Sequence, residues 1–442
     1  MRDSGRPAGR PDRGRPRVAL VVAIAAAMVY GCAGSSAESP GIEATASTQA
    51  TRSSEPSPSA LPSPKLASPS ATPGPTATFA SSSPSAVSAA RPFDVQWLPS
   101  SSFPRTARPV EQLNLGGIVA AGKVYVAYGA AIVGGADDAA AARDPANDDI
   151  SAGVWTSADG VAWHQATDVA LAGARMWAAG VSPTGGVVLS GLLPPASGQT
   201  WDSAVWTSTD KVHWHTTRIP SSGSVMAVAW DGKCVVASAF DTGGNGLWTS
   251  CNCGAWQKGR VFGTTNRVDL LELVPFGFLA LLERSDGGTR HLGVVVSKDG
   301  LHWQDRPIAG DDVIWTNPRV VATPGGVLVA AGAGSNTQPT AFWRASSDGS
   351  TWTQEDPAST LKGAYIDEGT SWKGGVAVVG VSGRTGEPAT FISTDGRSWF
   401  EASTAPEFGI VDSIAAGDVQ IVALISGAGF RHTIWIGRLV GS

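Results

Sequence analysis

A seven-residue phrase recurs six times along this chain and constrains its fold more than any other feature. The first copy reads Ser157-Ala158-Asp159-Gly160-Val161-Ala162-Trp163. The phrase returns at Ser208–Trp214, Ser250–Trp256, Ser297–Trp303, Ser346–Trp352 and Ser393–Trp399, with Ser-to-Ser steps of 51, 42, 47, 49 and 47 residues. Steps of that size mark an array of one supersecondary unit. Asp-Gly is a strong hairpin signal, because glycine accepts the positive φ that such turns need. The Ser and Asp side chains can lock the turn's backbone groups. The Trp can fill the space between adjacent sheets.

No helical period of useful length is present, and short β-rich runs alternate with Gly, Pro, Asp and Asn. One unit reads as an apolar run (Arg175–Val181), a turn (Pro183–Gly186), a second run (Val187–Gly191), a loop and a third run (Ala204–Thr207). The phrase then turns the chain into a fourth strand opened by Trp214. Four short strands repeated at this spacing predict an all-β, seven-bladed β-propeller. Six units carry the phrase. A seventh supplies only Ile410–Ala416, Val419–Ile425 and Thr433–Gly437. The segment Asp94–Pro99, with Trp97 in the place of Trp163, is expected to provide its fourth strand and close the ring. Six blades, with those segments as caps, is the alternative.

The N-terminal part is different in kind. All 17 Trp lie between Trp97 and Trp435. Residues 1–31 hold six Arg, a 13-residue apolar run (Val18–Tyr30), and then Val29-Tyr30-Gly31-Cys32. That ending resembles the lipobox of bacterial lipoproteins. The resemblance implies cleavage before Cys32, lipidation of Cys32 and a membrane-anchored, extracytoplasmic protein. Residues 32–91, rich in Ser, Pro, Ala and Thr, have too few apolar side chains to fold and read as a disordered tether. Residues 92–442 are the propeller. Loss of the first 31 residues, with six Arg against Asp3 and Asp12, takes the formal charge from −5 to −9. A mildly acidic remainder argues against a nucleic-acid partner.

The phrase resembles the Asp-box, or BNR repeat, of sialidase-like and sortilin-like propellers, although the family usually has a residue between Asp and Gly. The resemblance implies that Asp159, Asp210, Asn252, Asp299, Asp348 and Asp395 are structural. The same holds for Trp163, Trp214, Trp256, Trp303, Trp352 and Trp399, all on the rim away from any ligand. Lys211 replaces the Gly of the second copy; Asn252 and Cys253 replace Asp and Gly in the third. In an exported protein, a disulfide is expected between Cys234 and Cys253 in preference to Cys234 and Cys251, since Cys253 occupies the turn centre. No metal site or cofactor is expected.

Propeller ligands usually sit over the central hole, where inner strands begin. The repeat places Arg175, Trp315, Arg319, Tyr365, Asp367 and Asp412 there as candidate ligand contacts. A sialidase-like enzyme needs a Tyr nucleophile and carboxylates. Tyr365, Asp367, Asp412 and Asp269 are the only candidates, and the arginine set is not assembled. The expectation is therefore a monomeric, non-enzymatic module binding a glycan, peptide or partner protein. A glycoside hydrolase and an assembly factor for an envelope complex are the alternatives.

Overall fold

A computed structural model describes residues 93–100, 112–132, 150–194, 201–221, 223–241, 243–286, 289–308, 315–333, 340–402, 410–418, 420–426 and 432–441. The expected signal, the Cys32 anchor, the tether and most of the blade-one loop 130–151 lie outside them. Strand β1 is Phe93–Pro99. Blade one is β2 (Gln112–Ala121), β3 (Val124–Ile132), β4 (Ile150–Ser157) and β5 (His164–Gln165). Blade two is β6 (Arg175–Val181), β7 (Val187–Leu193), β8 (Asp202–Ser208) and β9 (His215–Arg218). Blade three is β10 (Val225–Trp230), β11 (Cys234–Asp241), β12 (Gly244–Cys251) and β13 (Gln257–Gly263). Blade four is β14 (Asn266–Val274), β15 (Gly277–Asp286), β16 (Thr289–Ser297) and β17 (Gln304–Arg306). Blade five is β18 (Trp315–Thr323), β19 (Gly326–Ala333), β20 (Thr340–Ala345) and β21 (Trp352–Glu355). Blade six is β22 (Tyr365–Trp372), β23 (Gly375–Val381), β24 (Pro388–Ser393) and β25 (Phe400–Ala402). Blade seven is β26 (Ile410–Ala416), β27 (Gln420–Ser426) and β28 (His432–Gly441), completed by β1.

Each blade is an antiparallel four-stranded sheet, and β26 of the last packs against β2 of the first, so the ring closes at seven. Strand β1 pairs along β28 from Phe93 opposite Gly441 to Pro99 opposite Trp435. That is the closing role expected of Asp94–Pro99. The sheets are apolar on both faces because both face a neighbouring blade. The second and third strands are accordingly almost continuously buried, and Trp155, Trp206 and Trp343 of the third strands are wholly enclosed.

The repeated phrase turns β4, β8, β12, β16, β20 and β24 into their outer strands. In the first copy, Asp159 Oδ1 accepts from Ser157 Oγ at 3.0 Å and from the Val161 and Ala162 N–H groups at 2.9 Å each. Those Ala162 and Val161 bonds hold the Asp159 carboxyl below the usual carboxylate range. The glycines at the turn centre have positive φ: 67° at Gly160, 77° at Gly300, 68° at Gly349 and 70° at Gly396. Lys211 adopts φ 66° to keep the same turn.

The turn does more than reverse the chain. Thr249 Oγ1 of blade three donates to Gly300 O of blade four at 2.6 Å, and Arg344 Nη2 of blade five donates to Gly396 O of blade six at 2.6 Å. Gln420 Nε2 of blade seven donates to Asp159 O of blade one at 2.7 Å. The phrase therefore fastens its blade to the one before.

The disulfide differs from expectation: Cys234 pairs with Cys251, not Cys253. Matching Cys253 to the turn glycine placed it correctly, with φ 56°. But β12 runs through Cys251, which stands directly opposite Cys234 in the antiparallel ladder. The third blade, whose phrase lacks both Asp and Gly, is thus bonded covalently where the others use a carboxylate clamp.

The turn geometry predicts opposite effects at equivalent positions. Lys211→Gly relieves a left-handed residue and stabilises the protein by about 1 kcal/mol. Gly300→Ala imposes the same backbone penalty and puts a Cβ 2.5 Å from Val236 Cγ2, a combined cost of about 2 kcal/mol or more. Thermal melting should move upward for the first variant and downward for the second.

Candidate functional site

The inner strands line the central channel, and all seven break register at one level. The ladder to the second strand skips Gly116 in β2, Trp177 in β6, Met226 in β10 and Asp269 in β14. It skips Asn317–Pro318 in β18, Asp367 in β22 and Asp412 in β26. Bulges of this kind free a residue from pairing and re-aim its side chain. They lie near the strand starts, at one mouth of the channel. The phrase sits at the other end: Gly325, in the first turn of blade five, packs against Asp395 of the blade-six phrase.

Below the bulges, β2, β6, β14, β18, β22 and β26 line a cavity of ≈ 250 Å³. Small apolar side chains such as Ala120, Ala179, Val181 and Ala322 line it together with Glu272, Thr370 and Ser371, and most of the surface it exposes is polar. Four carboxyls gather between mouth and wall. Arg319 is their main counter-charge: Nη2 stands 2.9 Å from Glu368 Oε1, while Nε donates to the Asp367 carbonyl. Burial pushes Glu368 up to about 7 against the opposing pull of Arg319, with Asp367 adding to the rise. Burial, helped by the charge of Glu368, pushes Glu272 to about 7. Asp367 is raised to about 6, by burial against the pull of Arg319 and with a contribution from Asp412. Protein encloses Glu272 and Glu368, yet both still touch the water space of the channel.

Tyr128 completes the cluster from the second strand of blade one. It stands opposite Gly117 in the ladder, and its ring crosses β2 over Gly116 and Gly117. A Cβ at Gly117 would lie 2.5 Å from the hydroxyl. Burial raises the Tyr128 pKa, followed by the charges of Glu368 and Glu272 from blades six and four. The ring packs in the apolar core between blades one and two, beside Met176 and Leu189.

The candidates read from the sequence divide as follows. Asp367 feels the charge of Asp412, which adds to its rise. Asp412 Oδ2 accepts from Ser426 Oγ and lies 3.5 Å from His432 Nε2. Arg319 belongs to the cluster. Asp269 shares the bulge tier but is held by Arg267 Nε at 2.6 Å. Arg175 stacks on Trp201, 4.4 Å from the ring centroid, and does not join the carboxyls. Trp315 begins β18, with its side chain outside the described residues. Tyr365 is buried at 8 % exposure and does not line the cavity, so it is poorly placed for a nucleophile. Sequence reasoning missed both Glu272 and Tyr128. The available signals were a lone Glu inside Leu270–Leu273 and the Gly116-Gly117 pair in an inner strand.

No family model and no curated protein matches the chain. Among solved structures, the fold is similar to a streptogramin B lyase, with a TM-score of 0.50 and 9% identity over 78% of this chain and 98% of that one. It is also similar to a protein of unknown function from Dyadobacter fermentans DSM 18053 (TM-score 0.47, 13% identity, 79% of this chain and 99% of that one). A third similar structure is YCF48 bound to D1 peptide (TM-score 0.47, 14% identity, 80% and 96%). At these identities the likeness concerns the fold alone.

The raised carboxyls carry a pH signature. An acid whose folded pKa exceeds its unfolded value contributes stability below the unfolded pKa and loses it as pH rises through the folded one. For Glu272 that window runs from its ordinary 4.5 to about 7. Glu272→Gln should therefore raise the melting temperature at pH 8 by about 6 °C, corresponding to roughly 3 kcal/mol. At pH 4 it should leave the melting temperature unchanged. Melting curves across this range check both points.

Proposed function

We propose that the chain is an exported lipoprotein, anchored through Cys32, whose Asp-box-type propeller binds a glycan or peptide over the channel mouth without turning it over. One observation carries this reading. The rim phrase recurs in six of the seven blades with few departures, as a scaffold requires. The bulge tier varies from blade to blade, with Gly, Trp, Met, Asp, Asn-Pro, Asp and Asp. Non-equivalent side chains on equivalent positions are what selective recognition uses, here apolar and aromatic in blades two and three and acidic in blades four, six and seven. Trp177 and Met226 supply flat and adaptable apolar contact, and the Asp side chains accept hydrogen bonds from hydroxyl or amine groups. The lipobox-like Val29–Cys32 and the Ser/Pro-rich 32–91 support the anchor and tether. The Ser-x-Asp-Gly-x-x-Trp pattern supports the Asp-box assignment.

A second reading has a specific observation in its favour. Asp367, raised to about 6, is poised to act as a general acid near neutral pH with Asp412 as its partner. A glycoside hydrolase would hold such a pair roughly 5 to 9.5 Å apart.

Glycan and peptide arrays probed with the chain test the binding reading. Trp177→Ala should weaken any array ligand by about tenfold or more, roughly 1.4 kcal/mol, and should lower the melting temperature as well, because the indole N–H donates to Val225 O of blade three. Release of free sugar, abolished by Asp367→Asn, would replace binding by hydrolysis. The anchor is tested separately: the wild type should partition into detergent, and Cys32→Ala into the aqueous phase.

A further inference from the structure

We infer that the outer seam of blades five and six is a second binding site, built for a zwitterionic α-amino acid with an apolar side chain. It is independent of the binding proposed at the channel mouth. The site is a cavity of ≈ 330 Å³ lined by β19, β20 and β21 of blade five, the loop 356–361 and the blade-six phrase. Small-molecule sites run from roughly 300 to 1,000 Å³, so a ligand of amino-acid size suits it. The resemblance of the phrase to the Asp-box set it away from any ligand; here its Gly396 and Trp399 form one wall of a cavity.

The cavity lies beside the bond that fastens this seam. Between blades three and four, the phrase carbonyl is reached by the short side chain of Thr249. Between blades five and six it is reached by Arg344, whose longer side chain lines the cavity. Arg344 is only 7 % exposed and engages all three nitrogens with protein: Nε with Glu355 Oε1 at 2.6 Å, Nη1 with Thr323 Oγ1 at 3.2 Å and Nη2 with Gly396 O at 2.6 Å. It is therefore part of the wall and not a ligand contact. The loop above is fixed as well. The Leu361 N–H donates to Ala358 O at 2.8 Å, and Thr360 Oγ1 donates to Trp399 O at 2.8 Å. A preformed cavity of this kind costs a ligand little ordering of the protein.

Its lining has two chemical halves. Leu328, Phe342, Leu361 and Trp399, each 6 % exposed or less, make an apolar slot with two aromatic surfaces. At the opening stand Asp356 and Arg397, both exposed and neither held in an ion pair among the described residues. With Arg344 and Glu355 paired to each other, one anion and one cation remain. A purely apolar ligand uses neither, and a singly charged ligand uses one. An α-amino acid offers its ammonium to Asp356 and its carboxylate to Arg397, a pairing that guanidinium geometry favours, while its side chain enters the slot. The aromatic surfaces favour phenylalanine.

The probe is L-phenylalanine, titrated calorimetrically into the full chain. Phenethylamine, which lacks the carboxylate, and hydrocinnamate, which lacks the ammonium, are the controls. Phenylalanine should bind with a Kd below about 1 mM, and each control should bind about tenfold more weakly. Asp356→Asn should weaken phenylalanine about tenfold and leave hydrocinnamate unaffected. Arg397→Gln should weaken phenylalanine to the same degree and leave phenethylamine unaffected. Both side chains are exposed, so an unchanged melting temperature should show that each variant is folded. No binding of phenylalanine at about 10 mM would overturn the inference. So would equal binding of the three probes, or binding indifferent to both substitutions. Trp177→Ala, at the mouth, should leave phenylalanine binding intact; its loss in that variant would place the amino acid at the mouth and sink the seam assignment. Failure of every array ligand with phenylalanine binding as described would remove the mouth reading alone.

Discussion

At three of the rim phrases, a backbone carbonyl of the turn is where one blade is fastened to its neighbour. Thr249, Arg344 and Gln420 reach across three different seams to make that bond at Gly300, Gly396 and Asp159. The carbonyl points outward only because the residue at the turn's centre is left-handed and the Asp carboxylate holds the next two N–H groups. Trp163 and Trp303 add a second donor, each giving its indole N–H to the phrase glycine at 2.8 and 2.7 Å. These bonds act together with the apolar side chains packed between blades and with inner-strand bonds such as Ser413 to Ile118 across the seam of blades seven and one. A carboxylate, a glycine and an indole at one corner thus set the geometry that leaves an open channel at the centre.

The two ends of that channel use acidic side chains in opposite ways. On the rim, Asp159 is surrounded by N–H donors and ionises more readily than usual. At the mouth, Asp367, Glu368 and Glu272 lie among apolar walls and one another, and hold their protons longer than usual. The same residue type is structural where donors surround it and responsive where they do not. The local supply of N–H groups decides which, and that supply follows from whether a turn or an inner strand carries the residue.

Much of this was legible in the sequence, for identifiable reasons. Repeat spacing and Asp-Gly turns gave the blade number, and the Trp97 match gave the closing strand. Arg175–Val181 and Ile410–Ala416 were read with the bounds they have in the fold. What escaped were matters of register. A bulge at Asp269 or Asp412 has no compositional mark, because the flanking residues alternate as in any strand. The Cys234–Cys251 pairing turned on where β12 ends, a shift of two residues. Tyr128 was hidden because its reach depends on Gly116 and Gly117, residues of another strand. Glu272 sits in a run whose apolar character dominates the reading. Repetition reveals what the blades share; the candidate site lies in what they do not.

The closing strand has a consequence for how such a chain becomes a ring. Phe93 and Gly441 meet in the ladder, and a loop of that length costs about 5 kcal/mol to close by the (3/2)RT ln n relation. The other six blades are built from neighbouring hairpins and carry no such debt. Without β1, blade seven would present three strands and an unpaired β28 edge, a template for any extended segment. The short run Phe93–Pro99 covers that edge in the closed ring.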